Sequence, residues 1–255
     1  MTEVKDESIA IVLAAGKGTR MQSNLPKVLF PVLGRPMIHW VLDAIQAAGI
    51  RRTVVVVGYE ADLVRQEIGS RSGVNFAMQA QQMGTGHAVQ MCREYLVEST
   101  APVLVVAGDS PLIQSTSISE LLREFAYREL ECLLGTLFKD NPTGLGRIVR
   151  DEDGSFDRIV EEKDATAQLR EIREVNMSTY LFAAQSLVWA LKGLQNKNAQ
   201  SEYYLTDCPK LLKQRGSRVD ALPVLKPCEA LSINTLEELG KVEARMQEMG
   251  YPCMN

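Results

Sequence analysis

The stretch I-A-I-V-L-A-A-G-K-G-T-R-M-Q-S-N-L-P-K-V-L, residues 9–29, decides the fold. Its first five residues are apolar without alternation, as expected of a strand buried on both faces. A glycine-rich turn follows at once, holding Gly16 and Gly18 and the cations Lys17, Arg20 and Lys27. Glycines admit close backbone approach, and successive N–H groups can form a nest for an anion. The spacing fails both the G-x-G-x-x-G dinucleotide fingerprint and the G-x-x-x-x-G-K-[ST] phosphate loop. Two readings stay open: a phosphate loop of another kind, or a tight strand–helix turn with ordinary surface cations.

Working outward, apolar runs at 53–57, 74–78 and 103–107 alternate with amphipathic segments at 35–48, 60–68, 87–96 and 117–127. That alternation predicts an α/β protein with a mostly parallel sheet covered on both sides. Beyond residue 130 the pattern loosens. Strands are expected at 132–137, 146–150, 156–160, 175–182 and 219–223, and helices at 185–194, 204–215 and 235–249. Asp151-Glu152-Asp153-Gly154 is a hairpin turn signal with Gly154 left-handed. The second half is thus expected to be a mixed antiparallel insertion that returns to the core.

At 255 residues the chain can form one large core. A formal net charge of −4, with both signs mixed along the chain, disfavours a general nucleic-acid binder. Five dispersed cysteines and two histidines argue against a structural zinc site and suit a reducing compartment. The charged start lacks a signal-peptide pattern, and no run is long and apolar enough to span a membrane. A cytoplasmic protein is expected.

Ligands of open α/β sheets sit at strand ends. Three polar, glycine-marked segments follow predicted strands: the opening loop, Q-A-Q-Q-M-G-T-G-H at 79–87, and G-D-S-P-L at 108–112. Asp109 is placed either to ligate magnesium or to cap the turn before Pro111. Asn234 could be its partner or could cap the terminal helix. Gln79 could read a pyrimidine edge, since an amide both donates and accepts, while Thr85 could instead cap the next helix. His87 reads as structural and His39 as a packing or surface residue. The run Glu161-Glu162-Lys163-Asp164 reads as a solvated face. Asn176 and Tyr204 could contact a polyol. No G-x-S-x-G elbow is present.

Seven segments together resemble the N-terminal pyrophosphorylase domain of the N-acetylglucosamine-1-phosphate uridyltransferases, among the sugar-nucleotide transferases. They lie at 13–29, 79–88, 108–113, 141–150, 159–165, 174–176 and 202–207, in family order. The resemblance implies a Rossmann-like three-layer sandwich of the nucleotide-diphospho-sugar transferase type, with a mixed, mostly parallel sheet and an antiparallel sugar-binding insertion. It implies one nucleotidyltransferase domain over 1–255: a nucleotide part to about 130, a sugar part from about 131 to 230, then a terminal helix. The implied activity is that of a UDP-N-acetylglucosamine diphosphorylase. UTP and N-acetylglucosamine 1-phosphate would give UDP-N-acetylglucosamine and pyrophosphate. The alternatives are another sugar 1-phosphate, such as glucose 1-phosphate, or a nucleotide-sugar-binding protein without catalysis.

The same resemblance assigns roles. Ala14, Gly16, Gln79, Gly84 and Thr85 would hold uracil and ribose, with Gly18 in the same loop. Arg20 and Lys27 would contact phosphates, and Asp109 and Asn234 would ligate Mg2+. Gly144, Glu161, Asn176 and Tyr204 would hold the sugar phosphate. Three departures stand out. Ser178 occupies the glycine position of the family's N-x-G, Ser232-Ile233-Asn234 replaces G-V-N, and Ala107 precedes G-D where a larger residue is usual. No hexapeptide-type repeat is present, so no acetyltransferase activity and no trimerising β-helix are expected, and the chain is read as a monomer or weak dimer.

Overall fold

Each apolar run becomes a strand of one sheet in the computed structural model, which describes residues 8–18, 21 and 23–254. The strands are β1 (Ile9–Ala14), β2 (Pro31–Val32), β3 (Arg35–Pro36), β4 (Arg52–Val57), β5 (Val74–Met78), β6 (Pro102–Ala107), β7 (Cys132–Phe138), β8 (Arg147–Arg150), β9 (Phe156–Val160), β10 (Glu174–Ala183) and β11 (Val219–Leu222). The main sheet runs β11-β7-β10-β6-β1-β4-β5, with β8 added to β10 and β9 to β8. β1 pairs in parallel with β4 and β6, as do β4 with β5 and β11 with β7. β10 is antiparallel to β6 and β7 and carries the β8–β9 hairpin.

Successive residues of a strand face opposite sides, so a strand covered on both needs apolar residues throughout. Ala10, Val12, Leu104 and Val106 face one core, beneath α1 (Met37–Ala47), α2 (Ala61–Ile68), α5 (Ser115–Tyr127) and α9 (Leu236–Glu248). Ile9, Ile11, Val103 and Val105 face the other, beneath α3 (Thr85–Gln90), α4 (Arg93–Leu96), α7 (Ala184–Gly193) and α8 (Asp207–Gln214). A short α6 (Ala167–Arg170) lies before β10. The three-layer α/β sandwich expected from the sequence is observed. No helix among the described residues is long and apolar enough to cross a membrane.

Several boundaries differ from expectation. Arg35 and Pro36 do not open α1; they form β3, which pairs with β2 through a two-residue turn of Leu33 (φ 52°) and Gly34 (φ 80°). Positive φ at both turn residues gives the twist that adjoining strands need. The segment 87–96 is two short helices, α3 and α4. The helix expected over 204–215 begins at Asp207, which puts Pro209 in its first turn, where a missing N–H costs nothing. The D-E-D-G turn is present, with Gly154 at φ 82°.

From β1 the chain runs outward to β4 and β5, then crosses back to β6 on the other side of β1. The order therefore reverses between β1 and β6, and a crevice opens there at the carboxyl ends of the strands. Gly108 allows this junction. A Cβ at Gly108 would lie 2.9 Å from the Leu13 carbonyl oxygen and 3.1 Å from Val28. Its own N–H donates to that carbonyl at 2.9 Å. Asp109 is thus delivered to the crevice beside the opening loop.

Candidate functional site

A cleft of about 900 Å³ opens at this reversal. Ala14, Gly16, Gly18, Lys27, Thr85, Asp109 and Asn234 line one part, and Gly144, Asn176 and Ser178 another. Nine of the residues assigned from the sequence therefore meet in one cavity. Arg20 lies outside the described residues. Gln79, Gly84, Glu161 and Tyr204 are not among the cleft-lining residues.

The opening loop is built around Lys27. Gly18 has φ 67°, and a Cβ there would come within 2.7 Å of the Lys27 Cβ. Glycine is needed twice, for the backbone and for the contact. A Cβ at Gly16 would meet nothing within 4 Å, consistent with backbone that faces the cleft. Pro26 leads into a 3-10 turn, Lys27–Leu29, anchored by buried Val28 and Leu29. Lys17 does not join the cleft; its ammonium rests 5.0 Å over the Tyr59 ring.

The Lys27 ammonium meets two oxygens from distant parts of the chain. It donates to Asp109 Oδ2 and, at 2.8 Å, to Asn234 Oδ1. Asn234 is not the cap of the terminal helix. The helix after Asn234 is capped by Thr235, whose hydroxyl accepts from the Glu238 N–H at 3.2 Å. The Asn234 backbone N–H donates to Glu238 at 2.7 Å, and its side-chain Nδ2 donates to Ser232 Oγ at 3.3 Å. Ser232, one of the departures, therefore holds the amide with its oxygen toward the cation. Ile233, fully buried, donates to the Asp109 carbonyl at 3.4 Å and ties the two segments together.

Two hard oxygens that already hold one cation are a suitable donor pair for Mg2+. Among the described residues no group of three or more His, Cys, Asp or Glu gathers to hold a metal. An ion here would complete its shell with water and phosphate oxygens, which is usual for magnesium on nucleotides.

The second glycine-marked segment is spent on internal bonds. Gln79 is buried, and its Nε2 contacts the Gly84 carbonyl at 3.0 Å and His87 Nδ1 at 3.1 Å. Gly84 has φ 104°, and a Cβ there would lie 2.6 Å from the Tyr203 carbonyl. Thr85 does not cap α3; its hydroxyl accepts from the Leu205 N–H at 3.1 Å. His87 is structural as expected, and His39 meets Glu67 at 2.9 Å on the surface.

In the other part of the cleft, Gly144 has φ 84° with open space where a Cβ would stand. Asn176 is buried, donates to the Tyr180 hydroxyl at 2.7 Å and accepts from the Ser178 N–H at 3.3 Å. The Glu161 carboxylate lies nearby, beside Gly146 and Asn176, and accepts from Thr206 at 3.0 Å. Burial pushes its pKa above the usual carboxylate range. Tyr204 is buried, with its hydroxyl accepting from Gln200 at 2.8 Å.

The Ser178 departure leaves a conformational signature. β10 bulges between Asn176 and Thr179, and Ser178 sits at φ 51°. The backbone keeps a glycine conformation although a side chain is present. An L residue there costs about 1–2 kcal/mol, against about 0.4–1 kcal/mol of extra unfolded-chain freedom for glycine. Ser178→Gly is expected to stabilise the fold by about 0.5–1 kcal/mol, seen in urea unfolding as a higher midpoint with unchanged slope. The Ser178 side chain also hydrogen-bonds the Tyr180 hydroxyl, and a lower midpoint would show that this bond outweighs the strain.

The run at 161–164 is only in part a solvated face: Lys163 and Asp164 are exposed, whereas Glu161 and Glu162 are partly buried and engaged within the fold. Arg147, 1% exposed, pairs with Glu162 at 2.8 Å and donates to the carbonyls of Leu145 and Arg170. Glu162 also accepts from the Gly144 N–H at 3.2 Å. Burial alone would raise the Glu162 pKa, but Arg147 and that N–H carry it below the usual range. Sequence reasoning missed this pair, and Lys139 and Lys241 on the cleft wall as well. The signal was available in Arg147, a cation at the second position of the strand expected over 146–150, followed by the apolar Ile148.

The model of the MobA-like NTP transferase domain matches residues 10–141, just over half of the chain, and the chain belongs to that family. The fold is that of the nucleotide-sugar transferases: it superposes on a UDP-glucose pyrophosphorylase complexed with UDP-glucose at a TM-score of 0.76, with 15% identity over 95% of this chain and 99% of that one. More particularly, the chain is similar to bifunctional protein GlmU. It is 44% identical over 239 residues to the protein of Limosilactobacillus fermentum, covering 94% of this chain and 52% of that one. For the protein of Exiguobacterium sibiricum the identity is 42% over 239 residues, with 94% and 53% covered. The chain spans about half the length of the curated relatives it matches.

Proposed function

We propose that this chain is a uridylyltransferase that joins UTP and N-acetylglucosamine 1-phosphate into UDP-N-acetylglucosamine and releases pyrophosphate. One observation carries the reading: Lys27, Asp109 and Asn234 converge on one cation point beside a glycine loop, in a cleft whose other part holds Gly144 and Asn176. The similarity to bifunctional protein GlmU supports the choice of nucleotide and sugar.

In this reading residues up to about 130 form the nucleotide part, about 131–230 the sugar part, and the terminal segment from about 231 supplies Asn234 just before its helix. Ala14, Gly16, Gly18 and Thr85 face uracil and ribose. Gln79 and Gly84 act one layer back, holding the shape of the 79–87 loop. Arg20 and Lys27 meet the phosphates. Gly144 and Asn176 meet the sugar, and Glu161 and Tyr204 stand behind them. A phosphate oxygen of the sugar phosphate attacks the α-phosphorus of UTP in line, and the bond to the leaving pyrophosphate breaks. Mg2+ held by Asp109 and Asn234 would neutralise phosphate charge. Lys27 stabilises charge on the transferring and leaving groups, and neither substrate bonds covalently to the protein.

The direct test is pyrophosphate release from UTP, and from other triphosphates, against several sugar 1-phosphates with Mg2+. Release only with glucose 1-phosphate would replace the sugar, and none with any pair would leave a binding protein. Lys27→Ala is expected to lower turnover at least about tenfold, equivalent to about 1.4 kcal/mol of lost transition-state stabilisation. Unchanged kinetics would remove Lys27 from the site.

A further inference from the structure

We infer that Lys27 is the resident cation of the Asp109–Asn234 point in the free protein, so that a divalent metal enters only together with the triphosphate. The inference rests on the metal-site reading above and adds an order of events to it. Both oxygens that would ligate the metal are engaged by one ammonium. That ammonium is well sheltered, its side chain 13% exposed against 25% for Asp109.

The charges explain the order. The carboxylate and the ammonium already neutralise each other. A divalent ion arriving alone would have to displace Lys27 and then stand a few ångströms from it, where like charges repel strongly. Glu238, the other carboxylate among the described cleft-lining residues, already accepts from the Asn234 N–H. A nucleoside triphosphate changes both conditions. Its phosphate oxygens give Lys27 a new partner and give the metal the ligands that two side chains cannot. The Lys27 ammonium then passes from Asp109 to phosphate as the metal takes its place. Ser232 keeps the exchange in register: its oxygen accepts from Asn234 Nδ2, so the amide oxygen stays on the point when the cation changes.

Manganese(II) binding, followed by loss of the free-ion electron paramagnetic resonance signal, separates the cases without any turnover. The samples are wild type and Lys27→Met, each free and with a non-hydrolysable UTP analogue, and the same set with Asp109→Asn added. Free wild type is expected to bind manganese weakly, and free Lys27→Met at least about tenfold more tightly, the gain vanishing with Asp109→Asn. The neutral Lys27→Gln should behave as Lys27→Met does, which guards against a packing effect of methionine. Wild type should acquire Asp109-dependent binding only with the analogue. If free wild type and Lys27→Met bind manganese equally, while the wild-type complex with the analogue binds it through Asp109, the lysine is no plug and the metal site stands. If no sample shows Asp109-dependent binding, the metal-site reading fails together with the inference.

Discussion

Asp109→Asn is expected to lower the rate of pyrophosphate release by about a hundred- to a thousandfold at saturating substrates. Asp109 supplies, among the described residues, the carboxylate paired with the Lys27 ammonium, through Oδ2. The substitution keeps the shape of the side chain and removes its charge. A unit charge pair at about 4 Å near a protein surface is worth about 4 kcal/mol, close to three decades in rate if the charge acts in the transition state. The amide does not simply substitute, because one rotamer turns an N–H toward the cation. The fold itself should respond little, because an asparagine at 109 keeps an oxygen that can accept from the ammonium and Lys27 keeps its bond to Asn234 Oδ1. A fall in turnover with unchanged melting temperature is the expected pair of results. Turnover within threefold of wild type would remove Asp109 from the reaction and undo the cation point.

The frame was legible because its cause is one-dimensional. β1, β4 and β6 are buried on both faces, so apart from Arg52 and Thr53 at the start of β4 their sequences are apolar and announce themselves. Polar residues that follow such strands must lie at the sheet's edge, which is why Gly16 and Asp109 could be assigned to a cleft from order alone. The destination of side-chain hydrogen bonds is a three-dimensional matter and was not legible. Gln79 read as a base-recognition amide, yet its Nε2 is directed to Gly84 and His87. Asn234 read more readily as a cap, and the Thr235 hydroxyl on Glu238 N–H together with the Lys27 bond to Asn234 Oδ1 separates the readings. Pro36 read as a helix opener; its ψ of 131° is extended, which suits the strand pair with Pro31 instead. The Ser178 departure could be noticed only against the family pattern, and its meaning, a positive φ retained without glycine, needed the backbone.

A common condition links these cases. Among the described residues every buried side-chain nitrogen or oxygen has a hydrogen-bond partner. A group that binds ligand must therefore exchange an internal partner for an external one, as Lys27 would exchange Asp109, and only the difference contributes to affinity. Such exchange favours discrimination: a ligand lacking the matching group leaves the internal bond intact and gains nothing. Gln79 fits a supporting role better than direct contact, because its Nε2 is already committed.

Arg147→Ala should be the most destabilising of these substitutions, by about 3–5 kcal/mol, a large share of the 5–15 kcal/mol that stabilises a typical domain. The guanidinium is 1% exposed and joins three segments: the Leu145 carbonyl before β8, Glu162 after β9, and the Arg170 carbonyl at the end of α6. Its removal leaves carbonyls without their donor inside the protein and opens a cavity the length of the side chain. Arg147→Lys should recover only part of the loss, since one ammonium cannot reproduce a planar fork with five donors. Glu162→Gln separates stability from function. It keeps an acceptor for the Gly144 N–H and for Arg147 but removes the charge, at a side chain 27% exposed, so the fold should lose about 1–2 kcal/mol. The Gly144 loop lies in the sugar part of the cleft, so KM for the sugar 1-phosphate should rise while UTP affinity holds. Chemical denaturation of the three variants, with substrate kinetics on Glu162→Gln, checks both statements. An Arg147→Ala protein as stable as wild type would mean that water reaches Glu162 and the two carbonyls and replaces the guanidinium, so that the buried arginine does not rivet the sugar loop to the fold.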